Sequence, residues 1–179
     1  MVEGVKFAGT RLFQMENSRV RFTIRDYRPE DFERLWEIDQ VCFPAGIAYS
    51  RYEIGVYIRR RNAFTLVAEE DPKTIVGYLV ADVGRRKIGH IITIDVLPHA
   101  RKQRIGSSLL QAAERRLTSI GCRVVYLETA VDNAPAISFY KRHDYDVIET
   151  VPRYYSNGVD ALVLEKDLLP QAASDTLLK

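Results

Sequence analysis

Basic side chains crowded against a helix start are the most readable chemistry in this chain. The stretch Ile94-Asp95-Val96-Leu97-Pro98 ends a strand at a proline, and from Ile105 the spacing turns helical, with Leu109, Leu110, Ala113 and Leu117 on one face. Arg101, Lys102, Gln103 and Arg104 fill the turn between, just ahead of Gly106 and Ser107. The first N–H groups of a helix have no partner inside it and carry partial positive charge. Amides and cationic side chains together therefore aim at an anion, and a pyrophosphate suits such a corner. Taken alone, the same residues also describe a solvated helix start.

A second constellation follows. Arg123-Val-Val-Tyr-Leu-Glu128 is a strand that ends in a carboxylate. Asn133, Ile137 and Tyr140 are then spaced by four and three residues, along one face of a helix. Asn133 suits the N-cap and Pro135 the first turn. By themselves Phe139 and Tyr140 read equally as core aromatics, Asn133 as a cap, and Glu128 as an exposed carboxylate at a strand end.

The elements that must place these groups can be drawn from periodicity. Residues 1–19 show no sustained period and read as an N-terminal extension, mobile by expectation. Val20 to Arg25 alternates as a half-buried strand. Pro29-Glu30-Asp31 opens a helix carrying Phe32, Leu35, Trp36 and Ile38. Cys42-Phe-Pro44-Ala-Gly46 breaks it, and Ser50 caps a second helix that runs through Arg60. Three strands follow, Phe64–Glu69, Ile75–Val83 and Ile88–Val96, with turns at Asp71-Pro-Lys and Gly84–Lys87. These make an antiparallel meander. The helix from Ile105 ends at Gly121 and leads to the Glu128 strand, which should run parallel to the strand before the helix. A helix from Asn133 to Arg142 and strands near Tyr145–Val151 and Asp160–Glu165 complete one domain, residues 20–166, with a tail over 167–179. The expected class is α+β: a mixed sheet of about seven strands with one parallel pair, flanked by about four helices.

Bulk properties bound the rest. A chain of 179 residues, 46% hydrophobic and 28% charged, is one globular domain with a core of its own. A net charge of +2 gives no case for a nucleic-acid partner, and Arg59-Arg60-Arg61 and Arg85-Arg86-Lys87 read as a solvated helix end and a hairpin turn. Cys42 and Cys122 stand far apart and the three histidines are scattered, so no metal site is expected. No apolar run approaches a membrane span and no secretory leader is visible. A cytoplasmic protein, monomer or homodimer, without membrane or nucleic-acid partners, is the expectation.

Together the two constellations resemble the GNAT acetyltransferases. Their acyl-coenzyme A loop has the pattern Arg/Gln-x-x-Gly-x-Gly/Ala; Arg101 and Gly106 match its ends, while Arg104 stands where the first glycine is expected. Asn133 to Tyr140 resembles their Asn-x-x-Ala-x-x-x-Tyr motif, although Asp144-Tyr145 replaces the Gly-Phe pair that follows it. Arg153-Tyr154-Tyr155, a short loop and Asp160-Ala161-Leu162-Val-Leu164 resemble the C-terminal pattern of protein N-terminal acetyltransferases of the ribosomal-protein alanine type. A hairpin with ordinary aromatic packing explains Tyr154 and Tyr155 as well as a peptide-binding role does.

The resemblance implies a sheet whose parallel pair parts at its C-terminal ends, with acetyl-CoA held there. It implies that Ile94, Asp95 and Val96 pair with the pantetheine arm, and that Arg101 to Ser107 (Lys102, Gln103, Arg104, Ile105 and Gly106 included) meet the pyrophosphate. Asn133 and Tyr140 complete the cofactor site. Glu128 would be the general base, Tyr140 the acid for the departing sulfur, and Phe43, Tyr49, Tyr154 and Tyr155 the acceptor wall. At Arg104, a left-handed backbone would cost about 1–2 kcal/mol. An ordinary one would leave its guanidinium for the phosphates, and that is the expectation.

The acceptor is an amine that must be neutral to attack. A free α-amine has a pKa of about 7.7–8.0 against roughly 10.4 for lysine, so freeing lysine at pH 7 costs roughly 3–4 kcal/mol more. That favours a protein or peptide N-terminus. A small amine such as an antibiotic, polyamine or amino acid is the alternative within the same chemistry, and a non-catalytic acyl-CoA-binding module the alternative outside it.

Overall fold

The computed structural model describes residues 22–70 and 73–169. The expectations for residues 1–19, for Asp71 and Pro72 in their turn, and for the tail beyond Leu169 lie outside the described residues.

Seven strands form one sheet: β1 (Phe22–Asp26), β2 (Ala63–Glu70), β3 (Thr74–Val83), β4 (Ile88–Val96), β5 (Val124–Ala130), β6 (Asp146–Val151) and β7 (Ala161–Asp167), in the order β1-β2-β3-β4-β5-β7-β6. Every neighbouring pair is antiparallel except β4 and β5. Four helices cover it: α1 (Phe32–Cys42), α2 (Arg51–Ile58), α3 (Ile105–Ile120) and α4 (Ala134–Lys141). The expected mixed sheet, with its single parallel pair and its helix count, is therefore present.

Both faces of the central strands are buried, which explains why β2 and β3 read as almost unbroken apolar runs. Leu66, Ala68, Val76, Leu79 and Ala81 face α3 with Leu109, Leu110, Ala113 and Leu117. Val67, Ile75, Tyr78 and Val80 face α1 and α2 with Leu35, Ile38 and Ile54. Tyr140 and Phe139 of α4 join the α3 side.

Local chemistry fixes the helix ends. Pro44 forces Phe43 into extended backbone and stops α1. Ser50 and Glu53 form a capping box on α2. Gly121, at φ 94°, ends α3, with the Cys122 amide returning to Leu117 O at 3.0 Å. One expectation needs correcting: Asp167 pairs with Val124, and Leu168 N–H donates to Arg123 O at 2.7 Å, so the sheet extends into the supposed tail.

Candidate active site

The site begins where two strands part company. The parallel register holds only for Ile88, Gly89 and His90 against Val124, Val125 and Tyr126. β4 nevertheless continues to Val96 and β5 to Ala130. Beyond His90 a wedge therefore opens in the middle of the sheet, as the resemblance implies. Leu97 N–H donates to Val76 O across β3, so by strand alternation the backbone groups of Ile94 and Val96 face the wedge. They have no strand partner there, although Val96 O accepts from Arg101 Nε, and the edge suits an amide-bearing chain.

A bulge in β4 sets which side chains line each face. Thr93 pairs with Val80 and Ile91 with Ala81, which leaves Ile92 as the extra residue. Ile94 and Val96 pack toward α3. Asp95 pairs with Tyr78 and points the other way, fully buried under α1. By the same alternation the backbone of Asp95 faces β3, so neither its carboxyl nor its amide points into the wedge. Burial pushes its carboxyl up to about 7.

The basic turn lies at the mouth of the wedge. Arg101 Nε donates to Val96 O at 2.9 Å, tying the guanidinium to the strand end. Gln103 Nε2 donates back to His99 O at 3.1 Å, so its side chain braces the loop. Ile105 sends its side chain into the core, and Ser107 Oγ is engaged by His143 Nε2 at 2.9 Å. The amides of Ile105, Gly106 and Ser107 remain the orphan first-turn donors of α3. That cluster, beside the exposed Arg101, Lys102 and Arg104, fits a pyrophosphate.

Arg104 departs from expectation. Its φ of 66° and ψ of 6° are left-handed, and Lys102 shares that region at φ 63°. The chain must leave extended Arg101 and enter α3 within a few residues, and it turns through two positive-φ positions to do so. Arg104 thus takes the conformation of the glycine it replaces and carries the strain. Asp144 does the same at φ 65°, while Tyr145 fills the aromatic place, fully buried with its hydroxyl donating to Glu114 at 3.1 Å.

Tyr140 of α4 is buried in the core on the α3 side, packed edge-on against Phe139 at 5.2 Å. Its phenol is pushed well above the ordinary tyrosine value by burial, and the nearby Asp95 and Tyr155 push it the same way. Asn133 spends its side-chain oxygen as the α4 N-cap, accepting from Ala136 N–H at 3.3 Å. Glu128 sits on β5 two residues past Tyr126, the last to pair with β4, and is itself paired with Val163 of β7. It is not a free strand-end carboxylate, because Oε2 lies 2.8 Å from His90 Nε2. The His90 ring stacks on Tyr126 with centroids 4.4 Å apart and planes 2° from parallel.

His90 is not singled out at the level of sequence, because the three histidines are scattered along the chain. The available signal was its position: a polar residue interrupting an apolar strand that runs beside the Glu128 strand.

The expected acceptor wall is aromatic. Tyr154 and Tyr155 meet edge-to-face at 5.0 Å, and Tyr154, half-exposed, has its phenol pushed up to about 12 by burial and by Glu128. Tyr49 packs edge-on against Tyr57 at 5.0 Å and extends its hydroxyl toward the bulge carbonyl of Ile92 at 3.4 Å. The α1–α2 link is fastened to the β6–β7 loop by Ser156 Oγ, which donates to Gly46 O at 2.9 Å. Phe43 is half-buried and belongs to neither apolar cluster, so of the four expected wall residues it is the least anchored.

Residues 32–145 match the model of the acetyltransferase (GNAT) family. The chain belongs to that family. This acetyltransferase is 29% identical over 159 residues to an N-alpha-acetyltransferase of Sulfurisphaera tokodaii, covering 82% of this chain and 93% of the relative. It is 32% identical to an uncharacterised N-acetyltransferase of Methanocaldococcus jannaschii, over 80% of this chain and 90% of the relative. Among solved structures, Ard1 from Thermoplasma volcanium superposes with a TM-score of 0.76 at 26% identity, covering 83% of this chain and 99% of that one. The acyl donor is acetyl-CoA, as in the family. No helix among the described residues is long and apolar enough to cross a membrane. No group of three or more potential metal ligands occurs among them either.

Proposed function

We propose that this acetyltransferase moves the acetyl group of acetyl-CoA directly to the α-amine of a protein or peptide N-terminus. The observation that carries the reading is the Glu128–His90 pair, set just where β4 and β5 separate and faced by a wall of tyrosines. Relatives bearing the name N-alpha-acetyltransferase, matched over most of the chain, support the same acceptor.

The thioester supplies an electrophilic carbonyl and a leaving sulfur. Ile94 and Val96 would hold the pantetheine arm, and the α3 amides with Arg101, Lys102 and Arg104 would hold the diphosphate. Glu128 takes the proton of the incoming ammonium, directly or through one water, and leaves the amine lone pair free. An α-amine asks little of this carboxylate, since its pKa of about 7.7–8.0 lies close to neutral. As the nitrogen bonds to the acetyl carbon and the C–S bond breaks, Tyr140, protonated at neutral pH, donates its proton to the departing sulfur, and the proton then shed by the nitrogen restores the phenol. The dry surroundings that raise the phenol also disfavour a bare thiolate, so the proton is wanted where it is held. Tyr49, Tyr154 and Tyr155 line the approach of a peptide, with Phe43 at its edge. We place the protein in the cytoplasm, consistent with its two free thiols, Cys42 and Cys122.

The test compares peptides with free N-termini, the same peptides blocked at the N-terminus but carrying lysine, and small amines. Free N-termini should be acetylated with the highest kcat/KM. Preference for small amines alone would overturn the acceptor. Glu128→Gln and Tyr140→Phe should each lower kcat by about 100-fold, the lower range for acid–base groups. Full activity in both variants would refute the assigned roles.

A further inference from the structure

The polar row that starts at Glu128 does not stop at His90. Asp82 on β3 is the cross-strand partner of His90, and its Oδ1 stands 3.9 Å from His90 Nδ1. Its other oxygen accepts from Arg60 Nη1 at 2.8 Å. The Arg60 guanidinium in turn lies over the Tyr57 ring, 4.4 Å from its centroid. Arg60, Asp82, His90 and Glu128 thus form a line across β3, β4 and β5, from the end of α2 to the mouth of the wedge. Along it the side chains go from 43% exposed at Arg60 to 14% at Asp82 and 18% at His90.

The two ring nitrogens of His90 face different carboxylates, Nε2 toward Glu128 and Nδ1 toward Asp82. An ionised carboxylate can only accept, so the hydrogen bond to Glu128 is donated by Nε2. At 3.9 Å Asp82 is too distant for a direct hydrogen bond, so it acts through its charge and by bounding the slot in which the ring lies. Tyr126 closes the slot from the β5 side.

We infer that Asp82, pinned by Arg60, is a positioning residue for acetyl transfer. It holds the His90 ring with Nε2 on Glu128 while Glu128 handles the proton of the amine. The inference rests on the role of Glu128 proposed above. As a plain surface ion pair, Asp82 and Arg60 would contribute only about 0–1 kcal/mol of stability and nothing to rate.

The groups facing His90 are Asp82 from β3 and Tyr126 and Glu128 from β5. Arg60 and Tyr57 from the end of α2, and Tyr154 from the β6–β7 loop, stand around these. The experiment measures kcat and KM of the full chain on a peptide that the wild type acetylates. It uses Asp82→Asn, His90→Gln, the double variant and Arg60→Gln, between about pH 6 and 9, which spans the ordinary histidine and α-amine values. Asp82→Asn should lower kcat about tenfold with KM within about twofold, and should move the pH at which kcat rises. Arg60→Gln, changed at an exposed site, should reproduce part of that loss even if Asp82→Asn folds poorly. In the His90→Gln background, Asp82→Asn should cost nothing more, because it acts through the ring. An unchanged kcat and pH profile in Asp82→Asn, or losses that add fully in the double variant, would overturn the inference. A wild type inactive on every amine would instead sink the functional reading beneath it.

Discussion

Arg104 shows how one side chain can hide a motif without destroying it. A non-glycine residue in the left-handed region costs about 1–2 kcal/mol, and Arg104 accepts that cost at φ 66° to keep the α3 amides aimed at the turn. Glycine there would relieve the strain but add about 0.4–1 kcal/mol of freedom to the unfolded chain. Arg104→Gly should therefore stabilise the protein by up to about 1 kcal/mol, read from the urea midpoint at constant m-value. Loss of stability would mean that the guanidinium makes contacts worth more than the strain. His90 is the converse case. In sequence it is marked only as a polar residue in an apolar strand, and it is the pairing of β4 with β5 that brings it to Glu128.

At the scale of elements, the β4 strand organises the site, and Gly77 on β3 lets it lie where it does. A Cβ on Gly77 would stand 2.6 Å from the Asp95 carbonyl oxygen, a backbone atom that can yield only if β4 moves. Gly77→Ala should cost about 1–3 kcal/mol, as overpacking does, and should weaken coenzyme A binding measured by calorimetry, since β4 carries the wedge. Normal affinity in a destabilised variant would separate strand placement from cofactor binding. The elements themselves were largely legible, because helix and strand periods are local. Leu109, Leu110, Ala113 and Leu117 announce α3, and Ser50 announces α2. The Ile92 bulge was not legible. One extra residue changes which face Asp95 takes, and only the partner strand shows that Thr93 answers Val80 while Ile91 answers Ala81. The left-handed turn at Lys102 and Arg104 was hidden for a related reason, since neither residue type advertises positive φ.

For the molecule as a whole, the least expected feature is a pair of acids sealed between α1 and the sheet. Asp39 and Asp95 are both fully buried, and Asp39 anchors the α1–α2 link by accepting from Tyr49 N–H at 2.9 Å. Burial pushes Asp39 up to about 6 and Asp95 up to about 7, and the nearby Asp39 charge raises Asp95 further. From the ordinary carboxyl value of 3.8 up to these folded values, the folded state binds more protons than the unfolded one. Stability must then fall as pH rises through that window and level off above it. Asp31, held low by Arg25 despite burial, has the opposite sign and loses its contribution only as pH falls through the acid range. The folded protein should therefore be more stable near pH 5 than near pH 8. For Asp95 alone, moving the midpoint from 3.8 to about 7 is worth on the order of 4 kcal/mol as a ceiling. Asp95→Asn removes that titration while keeping the shape of the side chain. Its urea midpoint should exceed that of the wild type at pH 8, and the difference should shrink as the pH falls below 3.8, where the wild-type carboxyl becomes neutral in the unfolded as well as the folded state. Equal pH slopes in the two proteins would show that Asp95 gives up its proton freely in the folded state, and the sealed pair would then have no part in setting the pH response.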